Sequence, residues 1–113
     1  MRSGNWLDEF PGAVTVAETD GRIVYLNKKA AEVFEKEGGT TLIGKNLFDC
    51  HNPSSVEKIK KILASGRPNV YPIEKAGVKK LIYQAPWIKN NQIRGVVELS
   101  LEIPFNLPHF IRD

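Results

Sequence analysis

Residues 13–27 read AVTVAETDGRIVYLN, two short apolar runs around a turn, with a helix start at the end. Val14 and Val16 alternate with Thr15 and Ala17, the period of two of a half-buried strand. Thr19-Asp20-Gly21 then breaks the run, because an aspartate side chain bonds nearby backbone and glycine takes a positive φ without steric cost. Ile23, Val24, Tyr25 and Leu26 form the second run, and Asn27 is a good N-cap for a helix beginning at Lys28.

Downstream, Ala30, Val33 and Phe34 make an apolar stripe that predicts a helix over 28–37, closed by Gly38-Gly39. Thr40 to Gly44 reads as an extended connection, with Leu42 and Ile43 covering the core. Leu47 and Phe48 read as core anchors on a short turn. Asn52 is the expected N-cap of the next helix, with Pro53 at the first helical position and Ser54 with Glu57 as a competing capping box. Val56, Ile59, Ile62 and Leu63 then share one helix face, and Gly66 ends it.

Three strands are expected after Pro68. Pro72 marks Val70 to Glu74 as an edge strand or a bulge. Gly77 turns the chain into Val78 to Ile88, where Leu81, Tyr83, Ala85 and Trp87 share a face and Pro86 implies an irregularity. Asn90-Asn91 suits the positive φ angles of a tight hairpin turn. In the last strand Val97, Leu99, Leu101 and Ile103 point one way and Glu98, Ser100 and Glu102 the other, as in an antiparallel sheet with one covered face.

Upstream, Asn5 caps a short helix over 5–10 that places Trp6, Leu7 and Phe10 on one side, and Pro11-Gly12 stops it. The tail 104–113, PFNLPHFIRD, carries Phe105, Leu107, Phe110 and Ile111 and reads as too apolar to stay free, so it is expected to fold back on the domain or to contact a partner.

The 113 residues, 42% hydrophobic and 26% charged, suit one domain, 1–103, with a single core. The net charge of +3 reflects lysines interleaved with glutamates, a mixed solvated surface, and no nucleic-acid motif accompanies it. No apolar run reaches the roughly 20 residues of a membrane span, and the opening residues lack a signal-peptide core. A soluble cytoplasmic protein is expected. The single cysteine, Cys50, fits a reducing compartment.

The strand, the D-G turn, R-I-V-Y-L-N, the Ala-containing helix and the later L-I-G-K resemble the opening of a PAS domain. The resemblance covers roughly Leu7 to Ile103, and it implies that the leading helix packs on the sheet or on a partner chain, with Trp6 buried there. It implies an α+β fold: a five-stranded antiparallel sheet with helices packed on one face. C-H-N-P-S-S-V also resembles a C-H-x-P-x-S-V stretch in a subgroup of bacterial PAS domains. The resemblance further implies a sensory module that holds a small ligand between helices and sheet. Phe34, Phe48, Ile59 and Leu63 are the expected lining from the helical side, with Val14, Val24, Tyr83 and Leu99 from the sheet and Cys50 and His51 at the mouth. Signalling would pass through a homodimer or a separate effector protein, with Trp6, Leu7, Phe10, Phe105, Leu107 and Phe110 as interface candidates. The alternative is an interaction module with a filled core and no ligand.

Cofactor identity stays open at this point. Haem through an axial His51 is the weaker alternative, against which His51 as a helix-start residue and Cys50 as a small core residue is the simpler reading. Metal is not expected, since a structural zinc site takes about four ligands and the soft donors are Cys50, His51 and His109. Flavin-binding PAS domains resemble Gly44-Lys45-Asn46, but Leu47 stands where their reactive cysteine comes next. The photoactive yellow protein family shares a G-K-N-x-F stretch, yet Cys50 comes too early for its coumaroyl thioester, and Leu26 and Ala30 replace its Tyr and Glu. No nucleophile motif, phosphate loop or H-E-x-x-H is present, so no enzyme is expected.

Overall fold

The computed structural model describes residues 5–50 and 52–113, Cys50 by its backbone alone. Strands β1 (Ala13–Glu18) and β2 (Ile23–Leu26) form the first hairpin. Asp20 Oδ1 accepts from the Arg22 amide at 2.9 Å, and Gly21 takes φ +91°. The turn is then docked from outside: Asn46 Nδ2 donates to Asp20 O at 3.0 Å, and the Leu47 amide to Gly21 O at 2.6 Å.

Helix α1 (Lys28–Val33) starts at Asn27 as expected, but it ends four residues before Glu37. A 3₁₀ turn, Glu35–Glu37, comes after it, and Gly38 at φ +130° turns the chain into a second, Gly39–Leu42. The expected extended connection over 40–44 is therefore largely helical. Leu42 is buried there, whereas Ile43 is 48% exposed, and Val33 of the expected stripe is 38% exposed. Helix α2 (Leu47–Cys50) and helix α3 (Pro53–Ser65) complete the helical layer. Asn52 caps α3, accepting from the Ser55 amide at 2.9 Å; the competing box at Ser54 is not used. Ile59 and Ile62 are the buried residues of α3, and Gly66 closes it in the left-handed conformation.

Strands β3 (Asn69–Lys75), β4 (Val78–Lys89) and β5 (Gln92–Ile103) finish the sheet, all antiparallel, in the order β2-β1-β5-β4-β3. Pro72 lies on the edge strand β3, where its missing donor costs least. Asn90 and Asn91 both adopt positive φ, and the β4–β5 register slips between Trp87 and Ile88, one residue past Pro86.

The sheet has two covered faces. On one, Ala13, Ala17, Ile23, Leu26 and Val96 pack with Ala30, Leu42, Ile59 and Ile62 from the helical layer. On the other, Val14, Val16 and Tyr25 are buried, with Leu7, Phe10, Val24, Trp87, Val97 and Leu99 packed around them. The cover on this second face is the leading 3₁₀ turn, Trp6–Glu9, capped by Asn5. Leu7 and Phe10 do the packing; Trp6 is not buried on the sheet but 73% exposed, and it meets the domain through an edge-on contact with the Phe10 ring. A four-residue turn cannot present three large side chains to one surface. In the tail, Phe105, Leu107, Phe110 and Ile111 do not fold back into the core and are all exposed.

Tyr25 Oη donates to Asp8 Oδ1 at 2.7 Å and so ties the leading turn to the sheet. Burial, then that hydrogen bond and the Asp8 charge, push the phenol up to about 12 from 10.0. The folded state thus keeps a proton that the unfolded chain releases near pH 10. The stabilisation is complete below pH 10 and is lost as the pH climbs through about 12. Urea midpoints measured across that window are expected to fall more steeply for the wild type than for Tyr25→Phe. At neutral pH the variant is expected to be less stable by about 1 kcal/mol; equal slopes in both proteins would contradict this account.

Candidate functional site

Between the helical layer and the sheet lies a cavity of about 190 Å³. Thr15 and Ala17 of β1, Ile23 and Leu26 of β2, Gln84 of β4, and Val96 and Glu98 of β5 form its floor. Phe34, Glu37, Leu42, Leu47 and Ile59 form its roof and rim. The aliphatic part comes from the helix-facing alternation of β1 and β5. The polar part comes from register.

Thr15 stands opposite Glu98, Glu98 opposite Gln84, and Gln84 opposite Asn69. These four residues make one polar row across β1, β5, β4 and β3 at right angles to the strands. Glu98 Oε2 accepts from Gln84 Nε2 at 2.7 Å, and Gln84 Oε1 accepts from Asn69 Nδ2 at 3.0 Å. The order of donors is forced, because a carboxylate only accepts and so turns the Gln84 amide nitrogen toward itself. Gln84 is only 5% exposed, and these two bonds are what make its burial tolerable. The Glu98 charge is also felt on β3: the Tyr71 phenol is raised above 10.0, by burial first and Glu98 second. Lys58 Nζ of α3 lies 5.9 Å from the centroid of the same ring.

Two of the expected lining residues, Phe34 and Ile59, do line the cavity. Phe48 and Leu63 pack against the same core without lining it. Val14, Val24 and Leu99 belong to the opposite face of the sheet, and so does Tyr83, which pairs with Leu99 and is 38% exposed. The period of two holds in β1, β4 and β5, but the face assigned to the helices is the other one. The more apolar face is covered by the leading turn, and the more polar face of β5 looks at the helices. The side chain of Cys50 and the whole of His51, expected at the mouth, lie outside the described residues. Thr15, Glu37, Gln84 and Glu98 were missed; the signal for them was a Gln inside an apolar strand and the Glu98 alternation read with the opposite sense.

Among the described residues no group of three His, Cys, Asp or Glu side chains is placed to hold a metal ion, and no helix is long and apolar enough to cross a membrane.

A family model described as PAS domain matches residues 11–85. No match was found among curated proteins. In structure the chain is similar to a C-terminal domain from Streptococcus mutans, at TM-score 0.68 and 21% identity, covering 85% of this chain and 78% of that one. It is similar to Vibrio cholerae VqmA, solved with a ligand and DNA, at TM-score 0.68 and 16% identity over 85% of this chain. It spans 48% of VqmA, about half. It also resembles the PAS domain of the histidine kinase ThkA, at TM-score 0.64 and 21% identity, covering 80% of this chain and 97% of that one.

Proposed function

This chain belongs to the PAS domain family, and from that premise we propose that it is a non-catalytic sensory module whose cavity takes a small ligand. The observation that carries the reading is the cavity itself: about 190 Å³, apolar on most sides, with a hydrogen-bonded polar row in its floor. An apolar enclosure with a few fixed polar groups is the usual form of a small-molecule site, and this one is below the roughly 300–1,000 Å³ of sites for drug-sized ligands. A single-ring molecule suits that size better than a porphyrin, which speaks against haem. The structural similarity to VqmA, which has been solved with a ligand, is in keeping with this reading.

A ligand here would touch β1, β2, β4, β5, α3 and the 3₁₀ turns around Gly38 together. It would favour one packing of the helical layer on the sheet, and output would arise as a shift in population. Transmission would use a homodimer surface or a separate effector. A second reading, an interaction module without ligand, draws on the exposed Trp6, Phe105, Leu107 and Phe110.

One experiment separates the two. Ala17 is 1% exposed and borders the cavity, so Ala17→Leu places extra methyl groups in that space. Non-denaturing mass spectrometry of the freshly purified wild type is expected to show a small-molecule mass that disappears on acid denaturation. The variant is expected to lose it while its melting temperature holds or rises. A bare wild-type mass, together with an Ala17→Leu variant destabilised by about 1–3 kcal/mol from overpacking, would favour the interaction module.

A further inference from the structure

The cavity lining is lopsided in its chemistry. Among the described residues it has two carboxylates, Glu37 and Glu98, one hydroxyl, Thr15, and one amide, Gln84, with no lysine or arginine. The Gln84 amide is committed at both ends, its nitrogen to Glu98 and its oxygen to Asn69. Glu98 gives Oε2 to Gln84, which leaves Oε1 for an occupant. The row therefore fixes the carboxylate in advance, so a ligand meets an acceptor whose ordering cost is already met by folding. Glu37, exposed on its 3₁₀ turn, adds a second negative group at the rim. Around these stand aliphatic and aromatic side chains, Ile23, Leu26, Phe34 and Val96 among them.

From this lining, and resting on the reading of the cavity as a ligand site, we propose that the ligand is a compact cation: a ring or branched hydrocarbon bearing an amine or amidine. Its N–H donors meet Glu98 in the floor and its apolar body fills the rest. A charge-assisted N–H to carboxylate bond is about twice as strong as a neutral one, and an amine or amidine brings such a donor to Oε1. A carboxylate-bearing ligand would place like charges together in a confined space and is rejected.

Three probes of nearly one shape test the proposal: benzamidine (cation), benzamide (neutral) and benzoate (anion). Binding is tracked by amide chemical shifts of the wild type, Glu98→Gln and Glu37→Gln. Benzamidine is expected to bind at millimolar concentration, moving the amides of Thr15, Ala17, Gln84 and Glu98, about tenfold more tightly than benzamide, with benzoate weakest. Glu98→Gln keeps an oxygen for Gln84 and is expected to remove that tenfold preference while leaving benzamide within about threefold. Glu37→Gln is expected to have a smaller effect, since its carboxylate is in water. If benzamide or benzoate binds as well as benzamidine at these amides, or if Glu98→Gln leaves benzamidine unchanged, the cation proposal is overturned and the cavity stands as a ligand site. If no probe moves any of these amides, the cavity reading fails with it.

Discussion

Asn27→Ala is expected to cost about 3–5 kcal/mol, a large part of the 5–15 kcal/mol that holds a domain of this kind together. Asn27 is 2% exposed and makes five side-chain hydrogen bonds. Its Oδ1 accepts from the amides of Val14 at 3.0 Å and Ala30 at 2.9 Å. Its Nδ2 donates to the carbonyls of Leu7 at 2.9 Å, Gly12 at 2.8 Å and, more weakly, Phe10 at 3.4 Å. One side chain thus starts α1, extends the β1–β2 ladder by a rung, and straps the leading turn to the sheet. The cap alone is worth about 1 kcal/mol. The rest comes from leaving buried backbone groups without partners, at about 1–3 kcal/mol each.

Asn27→Asp separates the parts. Aspartate is as good a cap as asparagine, and it keeps the oxygen that Val14 and Ala30 use. It replaces the nitrogen with a second oxygen facing carbonyl oxygens. If Asn27 were only a cap, Asp would be neutral in urea unfolding. If the strap matters, Asp is as damaging as Ala, and a variant within 1 kcal/mol of wild type would refute the strap.

Only the cap was legible in the sequence. Asn27 before an apolar helical stripe announces an N-terminus, because the partner amide at Ala30 is local. The other partners lie 13 to 20 residues away, and nothing in the spacing of residues 7–14 points to them. The same divide runs through the sheet. Asp20-Gly21 and Asn90-Asn91 disclosed their hairpins, and Pro72 its edge strand, since turn chemistry and a missing donor act on neighbours. The placing of β5 beside β1 had no local signal, because that pair joins residues near the two ends of the domain.

The candidate site was less legible than the fold. A period of two sorts a strand into two faces but does not say which one the helices cover. Choosing the more apolar face put Val14, Val24, Tyr83 and Leu99 on the cavity, where the structure has Thr15, Gln84 and Glu98. The apolar face had another tenant, Leu7 and Phe10 from the leading turn. The polar row from Thr15 to Asn69 crosses four strands at right angles to the chain, so its members are joined by register alone.

Gly95→Ala is expected to be nearly as damaging as Asn27→Ala, at about 3 kcal/mol or more, although alanine is the more favourable residue in an ordinary strand. Gly95 lies in β5 opposite Glu18 on one side and Trp87 on the other. A Cβ there would fall into the carbonyl of Ala17, within 2.9 Å of both Ala17 C and the Glu18 Cα. These are backbone atoms of the central β1–β5 pair, so no side chain can rotate away to make room. The strands must part, at the end of the ladder next to the β4–β5 register slip between Trp87 and Ile88. Gly77 is the control, because a Cβ there meets nothing within 4 Å and only its φ of +77° is unfavourable. Gly77→Ala is expected to cost about 1 kcal/mol. Urea unfolding of both variants decides the matter: equal, small losses would mean that β1 and β5 do not approach as closely as the structure has them. A large loss confined to Gly95→Ala carries a consequence for the site, since Ala17 and Val96, the neighbours that would move, are both part of the cavity floor. A folded Gly95→Ala protein at low temperature is therefore expected to lose the benzamidine shifts at Ala17 along with its stability.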